Sequence, residues 1–79
     1  HVRGLALAVP GVEGVHKCHV RASGLALLVD IQIDVEPTLT VHAGHAIAHA
    51  VQDALRAEPA LAITHVTVHV EPARRAAVP

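Results

Sequence analysis

The segment from Leu25 to Val35 limits the possible folds more than any other part of the chain. Apolar and polar side chains alternate along it, so in an extended strand the apolar ones share one face. The apolar positions are Leu25, Leu27, Val29, Ile31, Ile33 and Val35. Asp30, Gln32 and Asp34 project from the opposite face. We therefore expect a sheet with one buried face and one polar face, covered by a second layer on the buried side only.

Two more elements are expected before this strand. Pro10-Gly11 ends a helix over Val2 to Val9, which is either a short helix or, as we expect, the end of a longer one. A first strand runs from Val15 to Ala22, and the turn Ser23-Gly24 joins it to the alternating strand as a β-hairpin. Cys18 has the parity of Val20 and Ala22 in that strand and is expected to be a small buried side chain.

A helix and a strand are expected after it. Thr40 is a suitable N-cap for a helix from Val41 to about Ala57, which stops before Pro59. The stripe expected to lie on the sheet is Val41, Gly44, Ala48, Val51 and Leu55. The last strand, Ile63 to Glu71, is terminated by Pro72 and has an inward set and an outward set. The inward set is Val66, Val68 and Val70, and the outward set is His65, Thr67, His69 and Glu71.

This order predicts an α+β fold, αββαβ, with two helices on one face of a three-stranded sheet. Residues 1–79 are expected to form a single domain, with a frayed tail over residues 73–79. A domain of this size buries only roughly 60% of the surface of its unfolded chain. A partner subunit or a bound metal is therefore expected to add stability.

Composition excludes several classes of function. The chain has no Phe, Tyr or Trp and a net charge of −1, so it offers neither stacking platforms nor a cationic surface for nucleic acid. No segment approaches the roughly 20 apolar residues of a membrane-spanning helix, and direct membrane insertion is not expected. Cys18 is the only cysteine, which fits a reducing compartment. A Cys-His nucleophile would need an orienting third group, and none is evident, so an enzyme is not expected.

Eight histidines supply most of the candidate chemistry. His69 and Glu71 are two residues apart in a strand, so an imidazole nitrogen and a carboxylate oxygen share one face and can hold one ion. His45 and His49 are one helical turn apart, the spacing of a metal-chelating pair, with His42 one turn earlier and no general base between them. His16 at the start of the first strand can close one end of a site.

Solvation without any ligand is the competing interpretation of each of these groups. A polar pair on an exposed sheet face explains His69 and Glu71 as well, and a hydrated helix flank explains His42 and His49. For His19 the exposed and the ligand interpretations are equally good. His45 borders the apolar stripe and is the stronger ligand candidate on the helix.

Three segments together resemble a known family. They are PGVEGVHKCHVRASG, LVDIQIDVEPTLTVHAGHAIAHAVQDAL and VTVHVEP, and together they span most of the chain from Val9 to Pro72. In order and spacing they are similar to the cytoplasmic C-terminal domain of cation diffusion facilitator transporters. The resemblance implies a metallochaperone-like fold that forms a V-shaped homodimer on the cytoplasmic side of a membrane, attached to the transmembrane domain of the same transporter chain. In the family, divalent cations draw the two protomers together and thereby favour transport.

The resemblance also implies a ligand set. By position, the family's metal-binding residues fall on His16, His45, His69 and Glu71, the last being Asp in the family pattern. Many members have a histidine in the middle strand where this chain has Gln32, a poorer zinc ligand. Asp30, Asp34 or His65 could compensate for it, and Gln32 and His49 are themselves possible additional ligands. Zn(II) is the favoured cation, and oxygen-richer coordination also suits Mn(II), Fe(II), Co(II) or Cd(II).

The expected function is thus a regulatory and dimerisation domain of a cation efflux transporter, closed by a divalent cation that offsets carboxylate repulsion between protomers. One alternative is a metal-independent dimerisation module that responds to pH, because imidazoles in general take up protons near about pH 6.5. A second alternative is a free-standing soluble metal carrier, although such carriers commonly use a CxxC pair that this chain lacks.

Overall fold

The computed structural model of the chain describes residues 1–74, in five elements. They are α1 (Val2–Leu7), β1 (Gly14–Ser23), β2 (Ala26–Val35), α2 (Val41–Arg56) and β3 (Ile63–Pro72). The predicted order αββαβ is confirmed, and each element lies where the sequence places it to within about two residues. Of the tail predicted to fray, residues 75–79 lie outside the described part of the chain.

The sheet has the order β1-β2-β3, with the alternating strand at its centre. β1 pairs antiparallel with β2 through the hairpin, whereas β3 pairs parallel with β2 on the other side. The helix α2 provides the crossover that a parallel pair requires. The central position buries Val29, Ile31 and Ile33 almost completely, as the alternation predicts.

Leu25 departs from the prediction. It lies in the hairpin turn before β2 begins and is 98% exposed. The preceding Gly24 has a positive φ of 60°, so the chain reverses direction at Gly24 and Leu25, and the alternation starts to act only from Leu27 onward. Leu25 therefore contributes nothing to the core.

Helix α2 begins at the expected cap. The Thr40 hydroxyl accepts a hydrogen bond from the backbone N–H of Ala43 at 3.0 Å. Gly44, Val51 and Leu55 are buried beneath the helix, but Val41, the first residue of the predicted stripe, is 91% exposed. Val41 lies in the first turn, beyond the area that the sheet covers, and this part of the prediction is wrong.

One hydrophobic core joins the two helices to one face of the sheet. It contains Val2, Ala6 and Val9 from the N-terminal segment, Val29, Ile31, Ile33 and Val35 from β2, Val51 and Leu55 from α2, and Ile63 from β3. Helix α2 packs on β3, and α1 contacts both α2 and β1. Cys18 is half-buried and packs against this core, in agreement with its predicted parity. Both helices thus cover the core face, and within residues 1–74 no helix has the length and apolar character needed to cross a membrane.

Candidate metal centre

The opposite face of the sheet, here called the polar face, carries most of the predicted ligands. It consists of the outward side chains of three strands: His16, Lys17 and His19 of β1, Asp30, Gln32 and Asp34 of β2, and His65, His69 and Glu71 of β3. Within residues 1–74 no helix covers it, because α1 and α2 both pack on the core face. The alternation in β2 and β3 predicts the outward side chains of those two strands.

The parallel register between β2 and β3 brings the ligands of the two strands side by side. Gln32 lies beside His69, and Asp34 lies beside Glu71. In-register neighbours on one sheet face approach closely enough for their side chains to interact. His69 thus has the Gln32 amide as its neighbour, and Glu71 has the Asp34 carboxylate. These neighbours depend on the register between the two strands and could not be inferred from either strand alone.

A β-bulge determines where His16 points. Val15 pairs with Ile33 on the core face, but the next paired residue is Lys17, which lies opposite Gln32 on the polar face. His16 is therefore an extra residue, and the bulge lets both His16 and Lys17 project on the polar side. Without it, strict alternation from Lys17 would direct His16 toward the core.

His16 contacts the carboxylate of Asp34 through its Nε2 atom. Asp34 is the one buried charged residue within residues 1–74, with 9% of its surface exposed, and this imidazole satisfies part of its hydrogen-bonding capacity. Gly14 is paired with Asp34, and a Cβ atom at position 14 would lie 3.4 Å from Asp34 Oδ2. The small residue thus leaves room for the carboxylate beside the bulge.

Two neighbouring grooves divide the polar face. The first is lined by His16, Asp34, Gln32 and Glu71, together with Glu13 and Arg74 near the strand ends. The second is lined by His19, Asp30, Gln32, His69, Lys17 and Glu71. Gln32 and Glu71 border both grooves, so they lie at the centre of the candidate site.

His45 lies elsewhere. It borders a mostly apolar groove between α2 and the end of the sheet, with Val35, Val70 and Pro72. Its Nε2 atom is 2.9 Å from Nε2 of His49. Three of the four principal ligand candidates, His16, His69 and Glu71, therefore lie on the polar face of a single chain. The fourth, His45, lies on the helix layer.

The remaining candidates are spread over both layers. Asp30 is paired with His19 and Thr67, and its carboxylate is 4.0 Å from the Arg21 guanidinium. His65 lies beside Leu28, and its Nδ1 atom is 3.2 Å from the Thr64 hydroxyl. Within residues 1–74, no three His, Cys, Asp or Glu side chains converge closely enough to hold a metal ion.

Sequence reasoning missed two features of the site. Glu13 borders the first groove although it precedes β1, and no pattern in the loop indicates this. The contact between His16 and Asp34 depends on the bulge, which interrupts the alternation of inward and outward side chains in β1. The mixture of imidazole and carboxylate on this face suits borderline and hard divalent cations.

Comparison with known proteins identifies the family. Residues 1–73 match the family described as "Cation efflux protein, cytoplasmic domain". The match covers nearly the whole chain, and the chain belongs to this family.

Two protein relatives are similar in sequence over part of their length. The "Uncharacterized transporter YdbO" of Bacillus subtilis (strain 168) is 39% identical over 64 residues, which are 77% of this chain and 21% of the relative. "Metal tolerance protein 2" of Oryza sativa subsp. japonica is 37% identical over 51 residues, which are 65% of this chain and 13% of the relative. The chain therefore spans about a fifth or less of the length of these relatives.

The fold is shared with solved structures of the MamM CTD. A variant of that domain superposes with a TM-score of 0.86 at 33% identity, covering 92% of this chain and 90% of the other. A cadmium form of another variant gives the same TM-score and identity, with 92% and 89% covered. A nickel form gives a TM-score of 0.86 at 32% identity, with 92% and 91% covered. The resemblance in metallochaperone-like fold is thus confirmed.

Proposed function

We propose that this chain is the divalent-cation-binding regulatory and dimerisation domain of a membrane cation efflux transporter. In this proposal it forms a V-shaped homodimer, cation binding closes the dimer, and closure promotes transport by the transmembrane domain of the same chain. The observation that carries the proposal is the polar face. There Gln32 lies beside His69, Asp34 lies beside Glu71, and His16 contacts Asp34, with no helix of residues 1–74 above them. The cadmium and nickel forms of the MamM CTD support divalent-cation binding by this fold.

A single chain does not bring enough of the candidate ligands together to hold a cation within residues 1–74, and a second chain can supply the missing ones. His45 lies in a different layer from the polar face of its own chain. In a two-fold dimer the exposed His45 of one protomer is available to the polar face of the other. A cation held by residues from both chains then stabilises the closed dimer, because it binds that state more tightly than the open one.

Electrostatics supplies the switch in this mechanism. Asp34 and Glu71 are side by side in the register, and like charges in such positions repel each other. A second protomer brings the same pair of carboxylates again, and without a cation this repulsion opposes close approach of the two chains. Moving the equilibrium from mostly open to mostly closed requires a preference of about 10⁴-fold, or about 5.5 kcal/mol, which the added ligand bonds of one ion can supply.

The donor set determines which cations fit. Zn(II) accepts imidazole nitrogen and carboxylate oxygen in tetrahedral sites, and it is the cation we expect first. Gln32 contributes a neutral oxygen at the centre of the face in place of an imidazole, and Asp34 adds a carboxylate beside it. Oxygen-richer coordination of this kind also accepts Mn(II), Fe(II), Co(II) or Cd(II).

The test combines calorimetric titration of Zn(II) or Mn(II) with solution scattering of the same samples. We expect heat of binding and a more compact dimer for the wild type. Both effects should be lost in the fourfold variant His16→Ala, His45→Ala, His69→Ala and Glu71→Ala. The exposed His42, which has no described contact with the other histidines, provides a matched control variant, His42→Ala, that should behave like the wild type.

A gain-of-function variant sharpens the test. Gln32→His places an imidazole between His69 and the first groove, and we expect tighter Zn(II) binding than in the wild type. Absence of both heat and compaction in the wild type would contradict the proposal. Opening of the dimer on acidification with no effect of chelators would instead favour the pH-responsive module. A complete chain without transmembrane segments would favour the soluble metal carrier.

A further inference from the structure

Two imidazoles on α2 are already in contact with each other. The Nε2 atoms of His45 and His49 are 2.9 Å apart, and their ring centroids are separated by 4.4 Å at an interplanar angle of 77°. Both residues are exposed and lie one helical turn apart. The helix backbone therefore fixes the spacing of two metal-binding nitrogens without help from any other element.

A distance of 2.9 Å is that of a hydrogen bond in which one imidazole donates its N–H and the other accepts. When both rings carry their proton on Nδ1, the two Nε2 lone pairs lie on adjacent turns of one helix, which is the spacing at which two imidazoles can hold one ion. Nitrogen sites of this kind generally bind Cu(II) more tightly than Ni(II) or Zn(II). We propose that His45 and His49 form a two-imidazole chelate for a divalent metal with tetragonal preference, Cu(II) before Ni(II) before Zn(II), with water in the remaining positions.

The surroundings of the pair suit such an ion. The segment Val41–Gln52 of α2 contains no Lys or Arg, so no cation on the helix repels the metal from these turns. The residues between the two histidines are Ala46, Ile47 and Ala48, which are too small or too apolar to compete as ligands. In the direction of the sheet, His45 borders a groove that is lined mainly by apolar side chains.

This chelate is separate from the polar face, but it shares His45 with the function proposed above. If that function holds, an ion on the helix pair keeps His45 from the polar face of a second protomer. Cu(II) or Ni(II) would then oppose the closure that Zn(II) favours. The chelate itself does not depend on the proposed function.

The experiment measures Cu(II), Ni(II) and Zn(II) binding, each metal alone, to the chain carrying His16→Ala, His69→Ala and Glu71→Ala. These substitutions remove exposed ligands of the polar face, and far-ultraviolet circular dichroism checks that the fold is kept. In this background we expect affinity in the order Cu(II), Ni(II), Zn(II). Electron paramagnetic resonance of the Cu(II) form should show two equivalent nitrogen ligands.

Single substitutions in the same background identify the ligands. His45→Ala or His49→Ala should each weaken Cu(II) binding by roughly 10²-fold, because the second imidazole then no longer binds intramolecularly. His42→Ala, on the same helix, should leave it unchanged. Equal Cu(II) affinity in all three variants, a spectrum with one nitrogen ligand, or Zn(II) binding as tight as Cu(II) would each overturn the chelate. None of these results bears on Zn(II)-induced closure of the unmodified chain, so failure of this proposal and failure of the proposed function are distinguishable.

Discussion

At the scale of single residues, the position of His16 shows how one backbone irregularity changes the chemistry of a surface. The bulge between Val15 and Lys17 directs His16 to the polar face and against Asp34. On the N-terminal side of the bulge, the Arg3 guanidinium donates a hydrogen bond of 2.6 Å to the carbonyl oxygen of Val15. The direction of the candidate ligand His16 thus depends on the bulge beside it, and Arg3, which is not a candidate ligand, bonds to the backbone at that bulge.

Gly11 provides a prediction at this scale. Its φ is 97°, and a Cβ atom there would lie 2.6 Å from the Cδ1 atom of Ile47 on α2. Gly11→Ala should lower the free energy of unfolding by about 1–2 kcal/mol through the backbone alone, with a further loss because Ile47 must move. Urea denaturation measures the difference.

Gly24→Ala is the matched control for Gly11. Gly24 also has a positive φ, 60°, but a Cβ atom there would meet nothing within 4 Å. Gly24→Ala should therefore lose stability through the backbone conformation only, and not through a clash. Its loss in free energy of unfolding should be smaller than that of Gly11→Ala. Equal losses of stability in the two variants would show that Ile47 adjusts freely.

At the scale of elements, α2 has a buried side that packs on the sheet and an exposed side that carries histidines. Its buried side, with Gly44, Val51 and Leu55, holds the helix on the sheet, and Gln52 adds a hydrogen bond of 3.2 Å to the carbonyl oxygen of Val66. Its exposed side presents His45 and His49. The packing of one side therefore fixes where the imidazoles of the other side are presented.

The start of α2 can be tested through its cap. Thr40→Ala removes the side-chain acceptor for the N–H of Ala43 and should destabilise the domain by about 1 kcal/mol. Thr40→Ser keeps a hydroxyl acceptor and should be close to the wild type. Thermal unfolding followed by circular dichroism compares the three proteins, and an equal loss for Ser and Ala would show that the methyl group of Thr40, and not its hydroxyl, matters.

At the scale of the whole molecule, the layers are asymmetric. Two helices cover one face of the sheet, and the other face carries imidazoles and carboxylates without a covering element among residues 1–74. A small domain of this kind has a limited core of its own. A cation that joins two chains in the way proposed above would therefore add a substantial part of the total stability.

Metal-dependent stability is the prediction at this scale. A ligand that binds only the folded protein, present at about 100 times its dissociation constant, raises the free energy of unfolding by about 2.7 kcal/mol. For a domain of this size, that corresponds to an increase in Tm of roughly 10–20 °C. Differential scanning calorimetry with and without Zn(II) measures it. The fourfold variant His16→Ala, His45→Ala, His69→Ala and Glu71→Ala should show no increase, and an equal increase in that variant would indicate non-specific binding.

The sequence by itself determined the elements and the faces. Alternation in β2 and β3, the Ser23-Gly24 turn and the Thr40 cap are local features, because strand parity and capping depend on residues within a few positions of each other. They were enough to separate the core face from the polar face and to place His69 with Glu71. They failed at Leu25 and Val41, where exposure depends on how far the neighbouring layer extends.

Only the tertiary structure decided which ligands meet. The neighbours Gln32 with His69 and Asp34 with Glu71 follow from the parallel register of strands that are more than thirty residues apart, and His16 reaches Asp34 because of the bulge. The structure also separated His45 from the polar face of its own chain and paired it with His49. Register, bulges and layer assignment arise from packing between distant segments, and no local pattern encodes them.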